Sequence, residues 1–229
     1  FTYVGLAWSI PLRTVSLPES KRVRMLFRVD AFIGACKGGC KVPLDLARRL
    51  HGSLCHVAFV HVLGRSRLAS LSTFIARFSK RPHVPLIPPP SVLTDLKWWF
   101  KQLAKPNFVR VLPPIGQPID LGISVDASTV WGIGVLIDGH WDTWKLLPSW
   151  KSPGHDIGWL ECLAIELLVL HLESKGLKDC RITVKSDNQG IIGAVNKGQS
   201  RNFAVNQSIR RFTEILDTLR IILDIAYIE

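Results

Sequence analysis

Three carboxylates stand at points of the sequence where a negative charge needs a cationic partner, and Asp126 is the clearest of them. It lies in the run DLGISVDASTVWGIGVLI (120–137), where apolar residues alternate with small or polar ones on both sides of it. This alternation predicts a strand, a tight turn at 127–130 and a second, antiparallel strand. Aspartate is a poor strand former, and its charge is costly to desolvate beside a core. We therefore expect Asp126 to meet a cation, and a divalent metal ion fits best.

Two further acids follow at spacings that would bring them to the same place. Glu161 lies near the start of an apolar helix predicted over 158–175, and Asp187 ends a strand predicted over 181–186. If the strands of Asp126 and Asp187 are parallel neighbours, both aspartates lie at one end of the sheet and the helix brings Glu161 over them. Three carboxylates repel one another, so the cluster predicts cations. Oxygen ligands suit Mg²⁺ or Mn²⁺, and two such ions can promote phosphodiester hydrolysis.

Taken singly, two of these acids have ordinary explanations. Asp187 alone fits a helix cap or a strand-end turn, and Glu161 alone fits a charge at the favourable end of a helix dipole. Glu166 competes with Glu161 on the same helix, but five residues further on it points about 140° away. We interpret Glu166 as solvated. The pair Arg210-Arg211 fits either phosphate contacts or a solvated helix face.

The elements that must position the acids occupy the second half of the chain, and their predicted order is βββαβααβ. After the hairpin of 120–137, periodicity predicts a strand, a helix, a strand, two helices and a strand over 140–147, 158–175, 181–186, 188–197, 204–219 and 221–228. Three meander strands followed by crossover helices predict an α/β fold with a mixed five-stranded sheet and flanking helices.

The first half of the chain predicts a small helical unit. A short strand at 2–10 precedes helices predicted over 17–36, 44–63, 65–77 and 91–104. The proline-dense run RPHVPLIPPP (81–90) predicts a stiff hinge. We place the domain boundary in the loop of 105–118, which gives a first domain of residues 1–105 and a second of 106–229.

The net charge of +11 lies almost wholly in the first domain. Residues 1–105 hold 17 Lys and Arg against 4 Asp and Glu, a net of +13, whereas residues 106–229 hold 12 against 14, a net of −2. This asymmetry indicates a nucleic-acid-binding surface joined to a module with a site. A basic but merely soluble surface is the alternative.

The location and completeness of the chain also leave signals in the sequence. No run approaches the roughly 18 apolar residues of a membrane helix. Five cysteines form no even framework, which predicts free thiols in a reducing, intracellular compartment, the cytoplasm or the nucleus. The chain starts at Phe1 and its one methionine is Met25, so we expect a fragment of a longer polypeptide.

The short strings SVDAS (124–128), ECLA (161–164) and SDNQ (186–189) on this framework resemble the ribonuclease H fold. More narrowly, VDASTVWGIGVLIDGHW, DIGWLECLAIELL, SDNQGIIGAVNKGQSRN and, upstream, LKWWFKQL resemble the reverse transcriptase–ribonuclease H polyprotein of DIRS-type, tyrosine-recombinase retroelements. The resemblance covers essentially the whole chain. It implies that residues 1–105 correspond to the end of the polymerase palm, the thumb and the connection.

The resemblance implies an endonuclease that cuts the RNA strand of RNA–DNA hybrids with two Mg²⁺ or Mn²⁺ ions. Asp126, Glu161 and Asp187 would be its catalytic metal ligands, and the rest of the polyprotein a partner. The family has a fourth acid beyond the fifth strand, and this sequence stops at Glu229, too early for that role. The polymerase's own aspartate pair is absent from the sequence. The alternatives are therefore an inactive nucleic-acid-binding retroelement remnant, or another nuclease or transposase on the same fold.

Five polar residues near the acids are candidates for contacts with nucleic acid. Ser128, Asn188 and Gln189 flank the acids and could contact the hybrid's backbone or its 2′-hydroxyls. Ordinary turn residues are the alternative for these three. Lys197 and Arg201 follow the site and are candidates for holding phosphates of the second strand.

Overall fold

The computed structural model describes residues 1–106, 108–112 and 117–228. The chain divides into two compact units, Phe1–Pro114 and Ile115–Glu229. This division lies nine residues after the predicted boundary at 105/106 and inside the predicted loop of 105–118. The reason is a short strand, Val109–Val111, which pairs with Thr14–Ser16 and so belongs to the first unit.

In its described residues, the first unit combines four α-helices with a small antiparallel sheet. The strands, in sheet order, are β1 (Thr2–Tyr3), β2 (Leu6–Ser9), β3 (Thr14–Ser16) and β4 (Val109–Val111). The helices are α1 (Glu19–Lys37), α2 (Leu44–Val57), α3 (Ala69–Ala76) and α4 (Pro90–Leu103), with 3₁₀ segments at Val62–Leu68 and Arg77–Lys80. The prediction of one strand followed by helices is therefore incomplete. The second predicted helix also ends at Val57 instead of residue 63, because a turn at 58–60 follows it.

The proline-dense segment predicted as a hinge lies within the first unit. Val42 and Leu86 form an antiparallel bridge there, with the Val42 N–H donating to the Leu86 carbonyl at 2.8 Å and the Leu86 N–H donating back at 3.1 Å. Helix α4 then starts at Pro90, a position where proline fits because the first helical N–H has no intrahelical partner. The segment is thus fastened to the unit that contains it.

The second unit has the predicted order βββαβααβ and a mixed five-stranded sheet. Its elements are β5 (Ile119–Ala127), β6 (Gly132–Ile137), β7 (His140–Lys145), α5 (Ile157–Ser174), β8 (Arg181–Ser186), α6 (Gln189–Lys197), α7 (Phe203–Leu219) and β9 (Ile222–Tyr227). The sheet order is β7-β6-β5-β8-β9, in which β5 pairs antiparallel with β6 and parallel with β8. The expected α/β architecture with flanking helices is confirmed at this level.

Helix α5 is the central helix of the second unit. Half of its 18 residues are buried, and they point in several directions because α5 packs against both the sheet and α7. On the sheet, alternate residues such as Ile123 and Val125 of β5 and Ile182 and Val184 of β8 join the same apolar core. None of the helices in the described part of the chain has both the length and the apolar character needed to cross a membrane. All five cysteines are free, as predicted.

Candidate functional site

The two aspartates are brought together by the parallel pairing of β5 with β8. Ser124 of β5 lies opposite Lys185 of β8. Asp126 and Asp187 each come two residues later, and because side chains alternate along extended chains, both lie on the same side of the sheet at the same level. The expectation that these strands are parallel neighbours is confirmed.

Helix α5 brings the third carboxylate over this end of the sheet. The helix starts after Asp156, whose side chain accepts a hydrogen bond from the Trp159 N–H at 2.9 Å. Glu161 is the fifth residue of the helix and is 4 % exposed, so it turns towards the sheet rather than towards solvent at the helix start. One carboxylate oxygen from each of Asp126, Glu161 and Asp187 lies within 4.8 Å of the other two. The three predicted acids therefore form one cluster.

Glu161 is the electrostatically strained member of the cluster. Burial, followed by the charges of Asp126 and Asp187, raises the pKa of Glu161 to about 7, while a hydrogen bond from the Ala127 N–H acts in the opposite direction. Its Oε2 atom is buried and has no hydrogen-bond partner among the described residues. A buried carboxylate oxygen without a donor is costly, and a cation placed among the three acids would remove that cost.

The cluster fits a divalent metal ion by its donor chemistry. All three side chains offer carboxylate oxygens, the ligands that Mg²⁺ and Mn²⁺ prefer. Asp126 and Asp187 are exposed, so an ion and a substrate can approach them from solvent, while Glu161 closes the site from the protein side. Within the described residues, no second group of three or more His, Cys, Asp or Glu side chains comes together in this way.

The helix-cap explanation for Asp187 does not hold, because the next residue has that role. The Asn188 side chain is the N-cap of α6, and its Oδ1 accepts a hydrogen bond from the Ile191 N–H at 3.0 Å. The exposed carboxylate of Asp187 is left to the acidic cluster. Asn188, predicted to bind nucleic acid, therefore has a structural role for its Oδ1, and only its Nδ2 is outside the cap.

The other residues predicted to bind nucleic acid differ in the hydrogen bonds that they already make within the protein. The Ser128 hydroxyl accepts hydrogen bonds from the N–H groups of Val130 and Trp131 at 3.3 and 3.4 Å, so it closes the β5–β6 turn. Three others are exposed and make no hydrogen bond or ion pair with another described side chain: Gln189, Lys197 and Arg201. These three remain available for a ligand.

Glu166 is not solvated, and that prediction is wrong. Its side chain is buried between α5 and α7, where it accepts a hydrogen bond from the Ser208 hydroxyl at 2.5 Å and forms an ion pair with Arg211, whose Nη2 lies at 2.8 Å. The 140° turn from Glu161 points it to α7 instead of to water. The Glu166 carboxylate in turn raises the pKa of Arg211. Arg211 is therefore engaged within the protein.

A shallow cavity beside Asp126 contains residues that the sequence analysis did not single out. It has a volume of about 240 Å³, and its walls include Ser124, Trp141 and Thr143. The β6–β7 pairing places Trp141 opposite Leu136, and the indole is 70 % exposed. An exposed aromatic ring next to an acidic cluster offers a stacking surface. The signal in the sequence was a tryptophan in a strand, HWDTWK, whose other residues include four polar ones.

No protein-family model, no curated protein and no solved structure matches this chain.

Proposed function

We propose that this chain is a ribonuclease H-type endonuclease, which hydrolyses the RNA strand of RNA–DNA hybrids by two-metal catalysis as part of a retroelement reverse transcriptase. The observation that carries the proposal is the convergence of Asp126, Glu161 and Asp187 within 4.8 Å. The order βββαβααβ and the mixed sheet β7-β6-β5-β8-β9 are compatible with a ribonuclease H-like fold and support it.

The three carboxylates have distinct places in this proposal. Asp126 and Asp187 would bridge two Mg²⁺ or Mn²⁺ ions, and Glu161 would hold one of them. Bound ions of this kind supply Lewis-acid stabilisation of a phosphodiester and lower the pKa of an attacking water. The exposure of the two aspartates suits a polymeric substrate, because a nucleic-acid strand reaches them without entering an enclosed cavity.

The residues around the acids support recognition of a hybrid. Gln189 follows Asp187 closely in the chain, and the Asn188 Nδ2 is free to donate because the cap uses only Oδ1. Amide donors at this point suit the 2′-hydroxyl groups that distinguish RNA from DNA. Lys197, at the end of α6, and Arg201, just after it, are exposed cations that suit the phosphates of the second strand.

The proposal is tested by incubating the protein with an end-labelled RNA–DNA hybrid in Mg²⁺ or Mn²⁺. Asp126→Asn should lower the cleavage rate at least about 100-fold, because it removes a charged ligand of both ions. Asp217→Asn is the matched control, since it makes the same change at an exposed acid of α7. We expect the control to cleave like wild type, and single-stranded RNA and DNA duplex to remain intact. Equal cleavage by Asp126→Asn and wild type would remove Asp126 from the mechanism.

The second candidate is a catalytically inactive, nucleic-acid-binding retroelement remnant. The observation that favours it is the net charge of +13 over residues 1–105, which suits nucleic-acid binding and needs no catalysis. Glu229, the acid that ends the sequence, lies outside the described residues. Binding of the hybrid that depends on salt, without cleavage in either metal, would establish this candidate and exclude the first.

A further inference from the structure

A cationic cavity lies in the first unit, where the first half of α1 faces the second half of α2. Its volume is about 350 Å³. Leu17, Met25 and Val57 are buried and form its apolar floor. The polar groups around that floor come from α1 and α2, and the residues that line the cavity include no carboxylate.

The α1 wall of the cavity carries three cations. Lys21, Arg24 and Arg28 stand at positions i, i+3 and i+7, so they share one side of the helix. Like charges three or four residues apart destabilise a helix unless an anion lies near them. Arg22, one residue away on another side, is neutralised by Glu19, with its Nη2 at 2.6 Å from the carboxylate. The cavity side of α1 has no such acid.

Neutral groups hold two of these cations in place. The Lys21 Nζ donates to the Gly5 carbonyl at 3.1 Å, and the Arg28 Nη1 donates to the Ser53 hydroxyl on α2 at 3.3 Å. Arg24 makes no hydrogen bond or ion pair with another described side chain. All three have further N–H groups to donate.

The α2 wall adds a buried nitrogen without a partner. His56 Nε2 is inaccessible to solvent and has no hydrogen-bond partner among the described residues. Because this atom is closed to solvent, the imidazole lines the cavity without offering this nitrogen to a ligand. The polar groups that a ligand can meet are two guanidinium groups, one ammonium and one hydroxyl. Such a set recognises an anion with several oxygens.

We propose that this cavity binds a phosphate group of a nucleic-acid backbone. Guanidinium groups bind phosphate oxygens through paired hydrogen bonds, and two arginines one helical turn apart can bind one phosphate together. Arg24, Arg28 and Lys21 are exposed, so the bound phosphate can continue into a chain on both sides. The net charge of +13 over residues 1–105 concentrates a polyanion at this unit more than it does a single small anion. This site is separate from the acidic cluster and does not depend on the nuclease proposal.

The test measures binding of the full chain to a fluorescein-labelled single-stranded DNA of about 12 nucleotides. Fluorescence anisotropy is followed in EDTA over about 50 to 200 mM NaCl. Arg24→Ala/Arg28→Ala should weaken binding about tenfold or more at mid-range salt and lower the salt slope by about 0.7 for each phosphate that the variant no longer neutralises. The matched control is Arg48→Ala/Arg77→Ala, which removes the same charge from exposed arginines of this unit outside the cavity. We expect its affinity to fall by no more than about threefold.

Two outcomes would overturn the proposal. Equal decreases in the affinity of the two double variants would mean that overall charge, and no particular cavity, binds the strand. The second outcome comes from calorimetric titration with inorganic phosphate. If phosphate binding depends on Arg24 and Arg28 while oligonucleotide binding does not, the cavity binds a small phosphate compound. Arg24→Lys/Arg28→Lys supports the proposal if it restores the salt slope but only part of the affinity. Because EDTA removes metal-dependent cleavage, failure of the nuclease proposal leaves this measurement unchanged.

Discussion

Glu161 has the least favourable surroundings of the three clustered acids. It is buried, one of its oxygens has no donor, and two other carboxylates lie within 4.8 Å. Its pKa is therefore raised to about 7, from an ordinary value of 4.5. The folded protein holds this proton more tightly than the unfolded chain. Without a cation, this group's contribution to stability is complete below pH 4.5 and is lost as the pH rises to about 7.

Glu161→Gln should therefore stabilise the metal-free protein at alkaline pH. In EDTA at pH 8 we expect a gain on the order of 1 kcal/mol in the free energy of unfolding, since the amide cannot ionise. The gain should shrink towards pH 5, where the wild-type carboxyl is protonated. Denaturant unfolding at the two pH values measures this difference.

The control for this prediction is Glu173→Gln, the same change at an exposed position of the same helix. Its effect should be small and independent of pH. Saturating Mg²⁺ should raise the melting temperature of wild type at pH 8 and change that of Glu161→Gln much less. If the difference in unfolding free energy between wild type and Glu161→Gln were the same at pH 8 as at pH 5, the raised pKa would be contradicted.

The individual site residues were predictable where the local sequence determines their position. Asp126 was singled out because it interrupts a strong apolar alternation. Asp187 was singled out because it ends a predicted strand that was expected to lie parallel to the strand of Asp126. Glu166 was not predictable in the same way, because its partners Ser208 and Arg211 lie more than 40 residues later. The apolar character of α5 on nearly all sides was nevertheless a signal that an acid on this helix would be buried.

At the scale of elements, α5 and α7 are joined by the ion pair of Glu166 with Arg211. The glutamate side chain is 9 % exposed and that of the arginine 54 %, so the carboxylate depends on this partner more than the guanidinium does. Removing the arginine leaves a buried charge with only the Ser208 hydroxyl as donor. The helix–helix contact is therefore sensitive to a change on its exposed side.

Arg211→Met should lower the free energy of unfolding by about 2 kcal/mol, the usual size of a hydrogen-bonded charge contact. Methionine keeps most of the apolar stem, so the decrease reports the charge. Arg201→Met, at an exposed arginine just before α7, should change stability by less than about 0.5 kcal/mol. Denaturant unfolding at pH 7 measures both. Glu166→Gln in the Arg211→Met background should recover part of this stability, and no recovery would mean that the buried charge is not the cause.

Elements with strong periodicity were predicted to within a few residues, and very short strands were not. Strand β8 was predicted with its observed bounds, and α7 to within one residue at its start, because an amphipathic pattern fixes both. The sheet of the first unit was missed beyond its first strand. Its strands have two to four residues, and β4 pairs with β3 from the far end of the unit, a contact that no local pattern encodes.

At the scale of the whole molecule, each of the two units has its own apolar core. One core is built around Trp99, Phe74 and Phe78, and the other around α5, the sheet and Phe212 of α7. Two separate cores predict that the units fold independently. The charge asymmetry between the halves of the sequence is then an asymmetry between two folding units.

Residues 1–114 and 115–229, produced separately, should each unfold cooperatively. We expect a sigmoidal thermal or denaturant transition for each piece, with far-ultraviolet circular dichroism typical of mixed helix and sheet. Mg²⁺ should raise the melting temperature of the second piece as it does that of the whole chain, since all three acids lie in this piece. A piece that remains unfolded by itself would show that its core is completed by the other.

The fully buried thiol of Cys162 has a practical consequence for studying the second unit. It lies in α5 against the Val205 carbonyl of α7, and burial raises its pKa to about 12. Alkylating reagents react with thiolates, so the exposed Cys40 is modified first, the thiols whose pKa burial raises, such as Cys55, react more slowly, and Cys162 reacts only after these helices separate. The slowest phase of alkylation thus reports how often the native protein opens at this helix pair, without any substitution being introduced.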